Sequence, residues 1–430
     1  MRRAEIGPLA CVILAVLGCS SEGFPESQQP AISVRGDTVV LLSGAPAHPQ
    51  GGVLRADLTI GLLEGPEEYL FGRVGDAAVG RDWSIYVLDS QAQIVRQYTS
   101  DGVFMRNLGG PGDGPGEFRS ARMVETDTEG RVLIGEVRSG DVHVYSFDGD
   151  LVETWSLNQA IEPPITVDTA GLAYVRLQGM RRESYRLSDD PGRISVDGPN
   201  FVDVVPDRSL GSEHPGTVRL ARDGTVVDTV PSPATDDIEN YLIAPSGRIY
   251  VGLDYTPRSW WTWSPQGYLM TGRTDRYAID LHLVAASGVD SLVSLRRQRD
   301  RISIRPEVQE VIATQVAALL GDNDVRWRDA NPVPQLKPAY HRVLGARDGR
   351  IWIRLHVPSI RDPDSNVHDG SEWFEPESAF DVFEPSGHYL GEVRGPAGIR
   401  ATWARGDTLL VISTDELGVD TVTRLIVVWD

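Results

Sequence analysis

Thiols and lysines are almost absent from this chain. Cys11 and Cys19 are its two cysteines, and Lys337 is its single lysine among 430 residues. The other 40 of its 41 basic residues are therefore arginine, a bias that a GC-rich genome explains better than a need for guanidinium groups. Positive charge is also short overall, because 41 basic against 61 acidic side chains leave a formal charge of −20. A surface this acidic repels polyphosphate, whereas nucleic-acid binders carry a basic footprint, which argues against nucleic acid as a partner. The apolar run from Leu9 to Leu17 is far shorter than the ~20 residues a membrane-spanning helix needs. What the chain has in excess is Gly (44) and Pro (28), beside a hydrophobic content of 41%. That combination describes a sizeable core broken by many turns.

The N-terminus reads as an address. Arg2 and Arg3 precede the apolar run, and a small residue, Gly18, follows it, the pattern of a secretory signal. Val16-Leu17-Gly18-Cys19 resembles the lipobox of bacterial lipoproteins. The resemblance implies that Cys19 receives a diacylglyceryl group and becomes the mature N-terminus, with Ser20 fitting the outer-membrane sorting pattern. Residues 1–18 are then a signal peptide, 19–32 a lipidated tether and 33–430 the folded domain. Cys11 leaves with the signal, so the mature chain has no thiol for a disulfide, a redox pair or a nucleophile.

Two turn-plus-strand patterns recur through the rest. The first is a tight turn before a β-rich strand, at Arg81–Leu88, Glu129–Ile134, Ala170–Val175, Ser246–Val251, Asp348–Ile353 and Arg405–Val411. The second is an aromatic strand end, an Asp-Gly or Ser-x-Gly turn and another strand. It occurs at Tyr98–Phe104, Tyr145–Leu151, Trp263–Leu269 and Phe383–Leu390, with a looser copy at Arg222–Val227. Such signals mark hairpins, and two hairpins per unit make a four-stranded antiparallel meander. Six units predict an all-β, six-bladed β-propeller, with seven blades as the alternative. The sixth unit lacks a fourth strand, which the N-terminal segment supplies through either Asp37–Leu42 or Leu58–Leu63 and so hides the last open edge. One stretch departs from this pattern. Arg305–Gly321 has Pro near its start, Gly at its end and apolar residues at helical spacing, predicting a helix over 306–320 inside an insertion at about 276–338.

Gly109-Gly-Pro-Gly-Asp-Gly-Pro-Gly-Glu-Phe118 and Ile85-Tyr-Val-Leu-Asp89 resemble the inter-blade run and the strand of NHL-repeat propellers. The whole looks like a six-bladed propeller lipoprotein of the NHL/TolB-like group. The likeness is sharp over about residues 75–157 and speaks to fold more than to function.

In a meander the first–second and third–fourth turns share one face, and the longer connections share the other. The long ones here are 109–120, 178–183, 254–259, 276–338 and 358–377, so that face and the adjoining channel mouth are the expected functional face. Asp76, Glu125, His341 and Arg400 fall on predicted innermost strands. In NHL-type lyases and gluconolactonase-like propellers, such acidic and imidazole groups hold a metal. Asp362, Asp364 and Asn366 have the alternating spacing of a calcium loop but lack its glycine and its final glutamate. Trp261 belongs to a Trp260-Trp261-Thr262-Trp263 strand that either packs between blades or offers a stacking surface. The Gly-rich run has no following lysine or helix and reads as a structural turn. Arg35-Gly36-Asp37 and Arg405-Gly406-Asp407 read as tight turns.

The expectation is a monomeric, non-enzymatic outer-membrane lipoprotein, tethered by Cys19, that binds a protein, peptide or glycan on its long-loop face without a required cofactor. The alternatives are a metal-dependent lyase or lactonase at the channel mouth and an envelope-assembly scaffold.

Overall fold

The computed structural model describes residues 31–35, 38–178, 202–203, 216–233, 241–244, 247–250, 254–285, 288–320, 332–363 and 373–430. Four-stranded antiparallel meanders dominate it, arranged as a β-propeller. The first unit comprises Val74–Val79, Ile85–Asp89, Ile94–Tyr98 and Phe104–Leu108. The second comprises Ala121–Thr126, Val132–Glu136, Asp141–Tyr145 and Leu151–Ser156. Ile161–Val167, Ala173–Leu177, Thr217–Leu220 and Val226–Val230 form the third. Arg342–Gly345, Ile351–Leu355, Ser378–Phe383 and Tyr389–Gly395 form another, called the fifth after its place among the sequence repeats. Among the described residues no helix is long and apolar enough to cross a membrane.

The strand Ile85–Asp89 shows why the sequence packs this way. Side chains alternate between the faces of a strand, and here both faces are covered. Ile85 and Val87 enter a core shared with Trp403, Leu410 and Val422 of the last unit. Tyr86 and Leu88 enter another with Val124, Ile134 and Phe118 of the second unit. A strand read as apolar throughout is thus a blade seen from two sides. Further cores join the second unit to the third, Trp263 and Leu269 to the third, and the fifth to the last.

Ring closure uses the N-terminal segment. Gly52–Ile60 pairs antiparallel with Asp420–Trp429, from Gly52 opposite Trp429 to Ile60 opposite Val422. It completes the last unit, whose other strands are Arg400–Arg405 and Thr408–Thr414. The closing strand therefore starts earlier than Leu58–Leu63. The other candidate, Thr38–Leu42, is also a strand but lies parallel to Gly288–Arg296.

That pairing revises the reading of 276–338. Its first part is a long hairpin, Ala278–Ala285 with Gly288–Arg296, which extends the pair Ser259–Trp263 and Leu269–Arg273. Buried Ile279 and Val293 with Leu295 let it compete for the open edge of Leu269–Arg273. The hairpin Tyr241–Ala244 with Gly247–Tyr250 pairs instead with Val202–Asp203. The helix, α1, runs Pro306–Leu320, with Val308 and Ile312 buried.

The Gly-rich run is an inter-blade turn. Phe118 is fully buried between the first and second units. Gly109 has φ +67°, and a Cβ there would stand 2.3 Å from the Phe118 ring, so only glycine fits.

Candidate functional site

An innermost strand presents its edge to the channel, and edge N–H and C=O groups need partners. Three of the sequence-selected residues supply them. The Ala77 N–H donates to Asp76 Oδ1 at 3.0 Å and the Val124 N–H to Oδ2 at 3.1 Å, so Asp76 ties the first unit to the second. Glu125 accepts the Thr126 N–H at 2.7 Å. Arg400 Nη2 donates to the Gly75 carbonyl at 2.9 Å, tying the last unit to the first. Sequence alone placed these residues at the channel; it did not show that the scaffold employs them.

Arg347 closes one end of the channel. It lies in the turn between the first two strands of the fifth unit, and its Nη1 donates to Val167 O at 2.7 Å. Its Nη2 donates to Thr126 O at 2.9 Å and pairs with Glu125. Its N–H donates to Ala404 O at 2.8 Å, and its carbonyl accepts Gln266 Nε2 at 3.0 Å. One residue therefore joins five segments across the short-turn face.

Burial pushes Asp76 up to about 7 against the hydrogen bonds from Val124 and Ala77 and the field of Arg400. An unfolded aspartate titrates near ~3.9, so the folded state favours the protonated form. Its contribution to stability is complete below about pH 4 and is lost as pH rises through about 7. His341 acts in the opposite sense over part of that window, since its pKa is depressed to about 4. Comparison with Asp76→Asn isolates the aspartate. The stability of the variant relative to wild type is expected to climb from pH 4 to pH 8 in thermal melts. A pH-independent difference would refute the assignment.

The opposite end lies on the long-loop face, where His341 and Arg342 are exposed. Lys337, only 2% exposed, directs its ammonium to Val357 O (2.6 Å), Ser359 Oγ (2.8 Å) and Glu375 Oε1 (2.8 Å). Three donors in tetrahedral array are what an ammonium has and a planar guanidinium lacks. The single lysine thus has a use that arginine could not fill; its rarity was the available signal, and composition alone had attributed it to codon bias. His356 Nδ1 lies 2.9 Å from the same Glu375 oxygen. Burial opposes the Glu375 charge, but the hydrogen bonds from His356 and Lys337 outweigh it and hold the carboxyl at about 2.

Tyr255 packs over both, 5.1 Å from the Lys337 ammonium and 5.8 Å from the His356 ring. It holds φ +63°, a strained value for a non-glycine residue and one found often at ligand sites. His341 is solvent-exposed, with its ring 5.2 Å from that of His356. Enclosure by the channel walls, then the fields of His356 and Arg354, depress its pKa. Sequence reasoning selected His341 here and missed Lys337, Glu375, His356 and Tyr255.

The remaining candidates lie elsewhere. Trp261 packs against the Arg176 guanidinium at 3.9 Å and against the core of the third unit, which is blade packing. Asp362 is on the long-loop face, while Asp364 and Asn366 lie outside the described residues. Among the described residues no three His, Cys, Asp or Glu side chains converge to hold a metal. Asp407, in the second Arg-Gly-Asp turn, accepts Arg350 Nη1 at 2.7 Å and Trp429 Nε1 at 3.1 Å. That turn is part of the fold's own bonding.

No family model and no curated protein matches the chain. A solved member of the DUF4221 family from Bacteroides vulgatus is similar at a TM-score of 0.50 and 9% identity, over 88% of this chain and 99% of that one. An exported protein of Bacteroides fragilis is similar at 0.47 and 10% identity, over 90% and 99%. Virginiamycin B lyase from Staphylococcus aureus is similar at 0.37 and 10% identity, over 94% and 96%. At 9% identity the likeness to the DUF4221 structure is one of fold alone.

Proposed function

We propose that this chain is a six-bladed, lipid-anchored propeller of the cell envelope that binds a protein, peptide or glycan on its long-loop face. The observation that carries the reading is the asymmetry of the channel. Arg347 and Glu125 bridge it at the short-turn end, whereas exposed His341 and Arg342 face solvent at the other. At that end the buried Lys337 fixes the segments that carry Val357, Ser359 and Glu375. Rigidly held segments beside exposed polar groups favour recognition, because little ordering remains to be done on binding. Anchoring through Cys19 rests on the N-terminal sequence.

The metal-dependent lyase or lactonase finds less support. Both oxygens of Asp76 and Oε1 of Glu125 already serve backbone N–H groups.

Glycan and peptide arrays probed with the soluble form, Ser20–Asp430, test the reading. Ligands retained by wild type are expected to bind about tenfold or more weakly to His341→Ala, the effect of ~1.4 kcal/mol. Asp101→Asn, on the short-turn face, should leave them unchanged. Equal loss in both variants, or retention by both, would count against a long-loop-face site.

A further inference from the structure

The fifth unit pairs two arginines directly. Arg342 on its innermost strand lies opposite Arg354 on the next, and like charges facing one another across an antiparallel pair are destabilising. A third guanidinium, Arg400 at the start of the neighbouring innermost strand, lies within electrostatic reach of Arg342. Arg354 reaches toward that neighbour, donating from Nη1 to Ile399 O at 2.7 Å. Its Nε is buried without a partner. Arg342, although exposed, makes no hydrogen bond or ion pair among the described residues.

The nearby acids act on the group through their fields but are bonded elsewhere. Both oxygens of Asp76 are taken by backbone N–H donors. Glu375 is already shared by Lys337 and His356. In a chain with a formal charge of −20, three guanidiniums gather at this end, and the acids that act on them, Asp76 on Arg342 and Glu375 on Arg354, are themselves engaged by other donors. Enclosure by the neighbouring strands and then the field of Arg400 lower the Arg342 pKa, against the field of Asp76.

We propose that this mouth is an oxyanion site, in which Arg342, with Arg354 and Arg400 behind it, receives a carboxylate, sulfate or phosphate group of the ligand. Guanidinium groups suit such anions because their N–H donors pair with two oxygens at once. A bound anion would add negative charge where three guanidiniums gather. The inference rests on the long-loop face being the ligand face and names the chemistry that this face selects.

The probes are citrate, inorganic sulfate and inorganic phosphate, each against sodium chloride at matched ionic strength, read by calorimetry and thermal shift. Wild type is expected to bind at least one of them, and Arg342→Gln to bind it about 10- to 100-fold more weakly, as loss of a charged hydrogen-bond donor predicts. Preference for citrate assigns a carboxylate ligand; preference for sulfate or phosphate assigns a tetrahedral one. Because Arg342 has no side-chain partner among the described residues, unliganded Arg342→Gln should melt at or above the wild-type temperature. A lower melting temperature would make the arginine structural and overturn the proposal, as would anion binding unchanged in the variant. Wild type that ignores all three anions but keeps its array ligand overturns the oxyanion site and leaves the binding reading standing. An intact anion response with no array ligand counts against the wider reading alone.

Discussion

Asp381→Ala is expected to lower the unfolding free energy by about 3–5 kcal/mol, the loss seen when one partner of a buried charge network is removed. Asp381 is fully buried in the third strand of the fifth unit. Its Oδ2 accepts the Tyr277 hydroxyl at 2.7 Å and its Oδ1 the Tyr389 hydroxyl at 2.6 Å. Arg297 stands 3.3 Å away as an ion pair rather than a well-aligned hydrogen bond, and its guanidinium covers the Tyr389 ring at 3.7 Å. Arg299 bridges onward to Glu392 at 3.0 Å. Tyr277, Arg297 and Arg299 belong to the segment that enters and leaves the 278–296 hairpin. The carboxylate therefore holds that hairpin and its helix against the fifth unit. Truncation strands two phenols and two guanidiniums. Tyr277→Phe removes one donor only and should cost about 1 kcal/mol. Urea denaturation with both variants checks the ratio. An Asp381→Ala effect no larger than that of Tyr277→Phe would mean that the network is not ionised.

Leu54→Ala should cost about 2–5 kcal/mol, the range for deleting a buried leucine. Leu54 is 4% exposed on the closing strand and packs with Val393 of the fifth unit and Leu425 and Val427 of the last. It sits where the closing strand meets both the last unit and the fifth, since Gly52–Val53 also runs parallel to Val393–Arg394. Its neighbour Val53 is 41% exposed, and Val53→Ala should stay within about 0.5 kcal/mol. Chemical denaturation of the two variants tests whether the closing strand is part of the cooperative fold. Equal, small effects would show that the ring holds without it.

The hairpins were legible because their determinants are local. An aromatic residue, an Asp-Gly turn and a β-branched strand specify a hairpin within a few residues. Tyr145 does pair with Leu151 around Gly149 at φ +90°. Phe118 and Gly109 were legible as an inter-blade turn for the same reason. The partner of an edge is not local. Thr38–Leu42 and Gly52–Ile60 have similar β-forming sequences, and only the competition for two open edges, at Gly288–Arg296 and Asp420–Trp429, assigns each its place.

The site divides along the same line. Strand order and loop length, both written in the sequence, marked the long-loop face and brought Asp76, Glu125, His341 and Arg400 to the channel. What each does there depends on residues hundreds of positions away. Asp76 is drawn off by the Val124 N–H and Glu125 by Arg347. Lys337, Glu375, His356 and Tyr255 meet because loops from separate units converge on one buried ammonium. The Arg342–Arg354 confrontation follows from hairpin register, which a shift of one residue would abolish. Sequence by itself determined the kind of strand, the turns and the face that carries long loops, since these are set by neighbours along the chain. Tertiary structure decided which charges the scaffold's own bonds take up, because hydrogen bonding and desolvation are settled only where distant segments pack together.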